Sequence, residues 1–282
     1  MKLTAKLTLL FVLLTALPLS LVGYLAFTNG QRTIHQNTVN LLVSINNLKK
    51  ANFIDWIENK KDRLSLFAKR PLIVEFSRIL ASYGKENTAE WEVASRKVID
   101  EHFKVSIEGG GGFFELMILR PEDGLIVTST DERNNFKYRE DQPFFKNGRE
   151  GTYVQNAYYS LSMEQSVVTV STPIKDKKGN LIAVLAGNLN LDEITQIMMQ
   201  GSELTRTKET YLVNKFNFMI TESRLKPGSL LKRAIYTEGA KKALSGKSGF
   251  SQYEDYRGEQ VFGAYSWLPE YELAILTEIE VS

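Results

Sequence analysis

Residues 113–130, FFELMILRPEDGLIVTST, and residues 211–222, YLVNKFNFMITE, decide the reading of this chain. Each holds a short apolar run, a turn, and a second short apolar run. Ile118-Leu119 and Gly124-Leu125-Ile126-Val127-Thr128 take the same step in the first stretch that Leu212-Val213 and Phe218-Met219-Ile220-Thr221 take in the second, about 95 residues on. Pro121-Glu122-Asp123-Gly124 carries turn chemistry, and Asn214 to Asn217 stands at the matching turn. Downstream of the first stretch, Gly151 to Asn156, Ser166 to Ile174 and Leu181 to Leu189 read as strands, with Asp176 to Asn180 turning between the last two. Leu191 to Met199 reads as a helix stopped by Gly201. Downstream of the second stretch the order repeats: a short helix over Gly239 to Leu244, then strands over Gly249 to Glu254, Gln260 to Trp267 and Leu273 to Glu278, with a turn at Tyr256 to Glu259. Two copies of one small antiparallel sheet follow, in an α+β chain.

Upstream of Phe113 the period changes to that of a helix. From Leu7 to Phe27 no residue is charged, and at about 1.5 Å per residue this run reaches the roughly 30 Å hydrocarbon thickness of a bilayer. Lys2 and Lys6 precede it, so the positive-inside rule places the N-terminus in the cytoplasm and the remainder outside. A cleaved signal peptide is the competing reading, but no small-x-small site stands out between Leu17 and Gly30. Ile34, Thr38, Leu41, Ile45 and Leu48 then follow four-three spacing along one stripe, expected to pair with a second copy as a parallel homodimer. Phe53, Ile54, Ile57, Leu64 and Phe67 carry an apolar stripe onward to Arg70-Pro71, where proline stops the helix. Helices over Leu72 to Tyr83 and Thr88 to Phe103 lead to Gly109-Gly110-Gly111-Gly112, which reads as a flexible connector.

Composition removes several classes of function. With 35 basic and 33 acidic residues the net charge is +2, too balanced to expect nucleic acid as a partner. Cysteine is absent and only His35 and His102 are present, which excludes disulfides, thiolate metal sites and a His-based relay. No metal, cofactor or catalytic residue is expected. Glu254, Asp255 and Glu259 cluster at a hairpin and read as a solvated turn rather than a glycosidase pair. Gly246-Lys247-Ser248 echoes a phosphate loop, but Lys241 stands where its first glycine belongs.

Taken in order, the apolar N-terminal run, the long helix, Asp141-Gln142-Pro143-Phe144-Phe145, Ser171-Thr172-Pro173-Ile174 with Gly179 and Gly187-Asn188, and the closing Asp255-Tyr256-Arg257-Gly258, Val261-Phe262-Gly263-Ala264-Tyr265 and Leu276-Thr277-Glu278-Ile279 resemble the double Cache (dCache) extracytoplasmic sensor domain of bacterial transmembrane receptors. The resemblance implies two PAS-like modules in tandem on a stalk, with residues 1–28 as cytoplasmic tip and anchor, 29–108 as stalk and helical segment, 109–205 as a membrane-distal module and 206–282 as a membrane-proximal one. It implies a bacterial inner membrane protein, periplasmic or extracellular after about residue 28. It also implies a second span and an output of histidine kinase, diguanylate cyclase or chemoreceptor type beyond Ser282.

Amino-acid-binding members of that family clamp the ligand with an Arg, two aromatics, a Tyr and an Asp. By that resemblance the matching positions here are Gln142, Phe144, Phe145, Tyr158 and Asn188, so both charges of the clamp are replaced by amides. Arg139 lies three residues before Gln142 and offers a guanidinium, and Tyr138 and Tyr153 complete the candidate ligand-binding set. The expectation is a non-enzymatic sensor of a small polar or carboxylate ligand, not of an α-amino acid. A membrane-tethered binding protein serving a separate receptor or transporter is the alternative.

Overall fold

In a computed structural model of the chain, residues 3–83, 88–160, 165–202 and 205–281 are described. The helix α1 (Leu3–Ala68) is one uninterrupted rod of 66 residues, about 100 Å long at the helical rise. It stops where expected. Arg70 takes an extended backbone (φ −63°, ψ 130°), and Pro71 opens the next helix, α2 (Pro71–Ser82), at its first turn, where a missing N–H costs nothing. Among the described residues no helix is long and apolar enough to cross a membrane. Side chains 3–10, 12 and 13, which include the start of the Leu7 to Phe27 run, lie outside the described residues.

Helix α3 (Ala89–Lys97) begins at Thr88, whose hydroxyl accepts the Trp91 N–H, and carries Glu90 and Glu92 in its first turn. These complement the positive end of the helix dipole. The coil runs beyond Phe103, widened to π geometry over Val98–Phe103 and again over Ile107–Gly111. The four glycines therefore end a helix rather than form a loose connector: Gly110 and Gly112 take φ near +77° and +76°. Gly112 is also closely packed, since a Cβ there would lie 1.8 Å from Lys60 Nζ.

The first sheet contains β1 (Phe113–Leu119), β2 (Ile126–Ser129), β3 (Tyr153–Ser160), β4 (Gln165–Lys175) and β5 (Leu181–Asn190), in the order β2-β1-β5-β4-β3, all antiparallel. Helix α4 (Pro143–Gly148) lies between β2 and β3, and α5 (Asp192–Met199) follows β5. The second sheet contains β6 (Glu209–Asn214), β7 (Gly249–Glu254), β8 (Gln260–Leu268) and β9 (Leu273–Glu280), in the order β6-β9-β8-β7, with α6 (Glu238–Leu244) before β7. Strand β3 starts two residues later than Gly151 and runs to Ser160.

The expected strand over Phe218 to Glu222 does not form. Val213 bridges Met219 and Ile220 N–H reaches Leu212 O, but the Leu212 N–H is taken by the Thr221 hydroxyl, which ends the ladder. On its other side Met219 bonds Arg233 and Leu231. The second sheet is thus four-stranded, with this segment as a bridged edge.

Both sheets lean one face on α1. Leu116, Ile118, Leu185 and Val170 of the first sheet pack into the same core as Phe53, Ile57, Leu64 and Phe67, and that core continues to Leu212, Leu273 and Ile275 of the second. Asn46 keys the rod to the second sheet. Its amide donates to Ala264 O and Ile275 O at 3.2 Å and its oxygen accepts the Ser266 hydroxyl at 2.7 Å. Lys49 Nζ donates to Ile197 O and Gln200 O at the end of α5. Of the expected pairing stripe, Ile34, Leu41 and Leu48 are exposed, while Thr38 and Ile45 are half-covered.

Candidate functional site

The face of the first sheet turned away from α1 has an apolar end and a polar end. Register decides which residues share it: Leu119, Met117 and Glu115 on β1 stand beside Val184, Ala186 and Asn188 on β5. Pro173, Ser171 and Thr169 of β4 continue the row. At the apolar end Phe144 and Phe145, 2% and 3% exposed, pack on Met117, Leu119, Val184 and Ala186, with Tyr153 against the same cluster. Phe144 is fastened at both ends, its N–H donating to Gln155 Oε1 and its carbonyl accepting from Ser171 Oγ. The two phenylalanines are therefore core, not open pocket walls; their bulk is what seats α4 on the sheet.

At the polar end lies a buried carboxylate that the sequence reading overlooked. Glu115 is 1% exposed. Its Oε1 accepts from Ser129 Oγ (2.6 Å) and Asn134 Nδ2 (2.7 Å), and its Oε2 from Asn188 Nδ2 (2.6 Å). Such charge-assisted bonds are what a buried carboxylate requires. A lone acid inside the apolar run of β1 was the available signal. Asn188, 4% exposed, accepts the Thr169 hydroxyl at 2.6 Å. Thr169 in turn lies 2.9 Å from the Tyr158 hydroxyl, which must donate because the Thr169 proton is engaged.

The other arm of this chain leaves through Asn134, whose Oδ1 accepts from Arg139 Nη2 at 3.5 Å. Arg139 also donates to Tyr138 O at 3.0 Å. Arg139 and Tyr158 are thus the two surface ends of one hydrogen-bonded path through Glu115. Between them opens a cleft of about 460 Å³, lined by Tyr138, Arg139, Gln142, Tyr158, Glu140 and Asp141 among others. Burial raises the Tyr158 pKa, opposed by the Thr169 hydrogen bond and the Arg139 charge.

The structure therefore brings four of the expected residues, Tyr138, Arg139, Gln142 and Tyr158, to one cleft. Asn188 sits beneath it, and Phe144, Phe145 and Tyr153 lie to the side. Guanidinium, amide and phenol converging on a cleft with acids at its rim can hold a small polar ligand through directed hydrogen bonds.

Two antiparallel sheets carried on a common helix, with a polar cleft in the first, are the tandem architecture of a double-module domain. The chain belongs to the Cache domain family, which matches residues 29–282, and members of this class are non-catalytic sensor domains of signal-transduction receptors. The fold is similar to the Vibrio cholerae histidine kinase DctB sensor domain (TM-score 0.66, 12% identity, 88% of this chain and 99% of that one). It is also similar to the ligand-binding domain of the Pseudomonas aeruginosa PAO1 amino acid chemoreceptor PctC in complex with GABA (TM-score 0.58, 17% identity, 86% and 99%). A third likeness is the periplasmic sensory domain of the Campylobacter jejuni chemoreceptor Tlp1 (TM-score 0.55, 15% identity, 88% and 96%). No curated protein matches the sequence.

Proposed function

We propose that this chain is the extracytoplasmic sensor part of a membrane-bound receptor, and that the cleft between Arg139 and Tyr158 takes a small carboxylate. The observation that carries the reading is the path from both cleft ends to Glu115. A carboxylate meeting Arg139 gains a forked donor. The position that an acid fills in amino-acid-binding members is Asn188 here, and its amide is committed to Glu115 and Thr169. Glu115 supplies a negative charge one strand over, but Ser129, Asn134 and Asn188 occupy its oxygens. At the clamp position itself an α-amino acid therefore finds no open carboxylate for its ammonium group, and the exposed acids Glu140 and Asp141 stand only at the rim. The α-amino-acid or GABA binding of the similar chemoreceptor domains is the competing outcome.

In this reading residues Leu7 to Phe27 are the membrane anchor, supported by their lack of charge and by the exposure of Phe11, Leu14, Leu17 and Leu25 on the helix. Residues 109–205 form the distal module and residues 206–282 the proximal one. Two copies pair in parallel through Ile34, Leu41 and Leu48. Ligand in the distal cleft favours one packing of the first sheet on α1, and a differential affinity worth about 1 to 3 kcal/mol suffices to shift the rod.

Thermal melting of the chain against small mono- and dicarboxylates and the proteinogenic amino acids tests the site. The expected result is a stabilising shift with a carboxylate that Arg139→Gln abolishes. A large shift with an α-amino acid, lost in Asn188→Ala, overturns the ligand assignment.

A further inference from the structure

A second cavity, of about 410 Å³, opens where α1, the first sheet and the turn between β8 and β9 meet. It shares no lining residue with the cleft over Arg139. Its apolar lining comes from parts of the fold that must stay in register: Trp56 and Ile57 from α1, Val154 and Val168 from the first sheet, Leu273 from the second, and Ile220 from the segment bridged to the second sheet's edge. Phe53 and Tyr271 meet edge to face beside them, ring centres 5.4 Å apart.

The charged side chains and the amide at this cavity already have partners. Lys215 pairs with Glu272 at 2.6 Å, and Glu270 pairs with Lys61 at 3.2 Å. The Asn156 amide donates to Tyr271 O at 2.9 Å, while its oxygen accepts the Ala157 N–H at 2.7 Å. A charged ligand entering here would lose its hydration and find its counter-ions taken. An uncharged ring loses little hydration and gains flat aromatic contact with Trp56 and Tyr271. The size lies in the range of small-molecule sites, and junctions between sheets and helices are where such sites form.

We propose that this junction is a second binding site, for a small uncharged aromatic molecule. Its occupant touches the rod and both sheets at once, so it stabilises the packing in which the three are closed together. Asn156, which ties the first sheet to Tyr271, lies on β3 two residues from Tyr158 of the first cleft. The two sites therefore share a strand.

The chain has three tryptophans, Trp56, Trp91 and Trp267, so fluorine NMR of the full chain carrying 5-fluorotryptophan reads the cavity directly. Benzyl alcohol is the probe and benzoate its charged counterpart. The expected result is a saturable movement of the Trp56 resonance with benzyl alcohol, with Trp91, buried and bonded to Val127 O, and Trp267 unmoved. Val154→Phe, which fills the cavity, weakens that response about tenfold or more, and benzoate gives a weaker one. An unsaturable drift of all three resonances, no movement of Trp56, an undiminished response in Val154→Phe, or benzoate binding as well as benzyl alcohol overturns the proposal.

Discussion

Glu115 and Glu209 hold the same station in the two sheets: each stands on the first strand and accepts the hydroxyl of the serine 14 residues later, Ser129 at 2.6 Å and Ser223 at 2.8 Å. Each serine oxygen then accepts the backbone N–H two residues on, from Asp131 and from Leu225, both at 3.1 Å. The internal repeat is written in hydrogen bonds as well as strand order. Beyond this shared piece the two acids diverge. Glu115 is completed by Asn134 and Asn188, Glu209 by the Arg224 N–H and the Tyr256 hydroxyl.

Removing a donor from Glu115 leaves a buried oxygen short of a partner. Asn188→Ala is expected to lower stability by about 1 to 3 kcal/mol. Asn188→Asp sets two carboxylates side by side and costs more at neutral pH, with the deficit shrinking as acidification protonates one of them. Urea denaturation of both variants at pH 5 and pH 8 reads this directly. An Asp variant as stable as the parent at pH 8 would contradict the assigned network.

Glu278 gives a pH dependence of definite sign. Burial pushes its carboxyl up to about 8 from the usual 4.5, against the opposing hydrogen bonds donated by Tyr253 and Tyr211. As pH rises through this window the unfolded chain ionises Glu278 while the folded chain does not, so stability is lost between about 4.5 and 8 and then levels off. Glu278→Gln cannot ionise. The stability of the parent relative to this variant should therefore fall across that range by something on the order of a few kcal/mol, measured by denaturant titration at stepped pH. A flat difference would show that the acid is already ionised in the fold.

Gly112 is required for its backbone as well as its size. Alanine at φ +76° costs about 1 to 2 kcal/mol, and the new methyl displaces Lys60 from its 2.8 Å pair with Glu193. Gly112→Ala should melt lower than the parent, whereas Gly151→Ala, which meets nothing within 4 Å, should be nearly silent. Equal melting of the two variants would remove the special role of Gly112.

The absence of cysteine makes the rod suited to cross-linking. Single cysteines at positions 34, 41 and 48 are expected to form disulfide-linked dimers in membranes. Cysteines at 42, 46 and 49, which are buried within the chain's own fold, should not. Uniform cross-linking along 34–49, or none, would exclude the parallel pair.

Much of this architecture is legible in the sequence because a half-buried strand must alternate and a helix before proline must stop. β7 falls on the residues read from its pattern, and α1 ends just before Arg70-Pro71. What escaped depends on who takes each hydrogen bond. Phe218 to Glu222 has a strand's composition, but the Thr221 side chain substitutes for the backbone partner. The resemblance assigns Phe144 and Phe145 to the pocket, whereas their bulk makes them the core under α4. Arg139, Gln142 and Tyr158 did converge on a cleft, yet Glu115, the acid that organises it, is one letter in an apolar run whose partners lie 14, 19 and 73 residues away.

Between Ile34 and Ala68 the rod contains neither proline nor glycine, the residues at which helices most readily kink. In the proposed receptor, a torque applied near Phe67 by the first sheet would be carried some 50 Å to Ile34 at the helical rise. What would reach the far end is a change of compass bearing, with the azimuth of Ile34, Leu41 and Leu48 turning together.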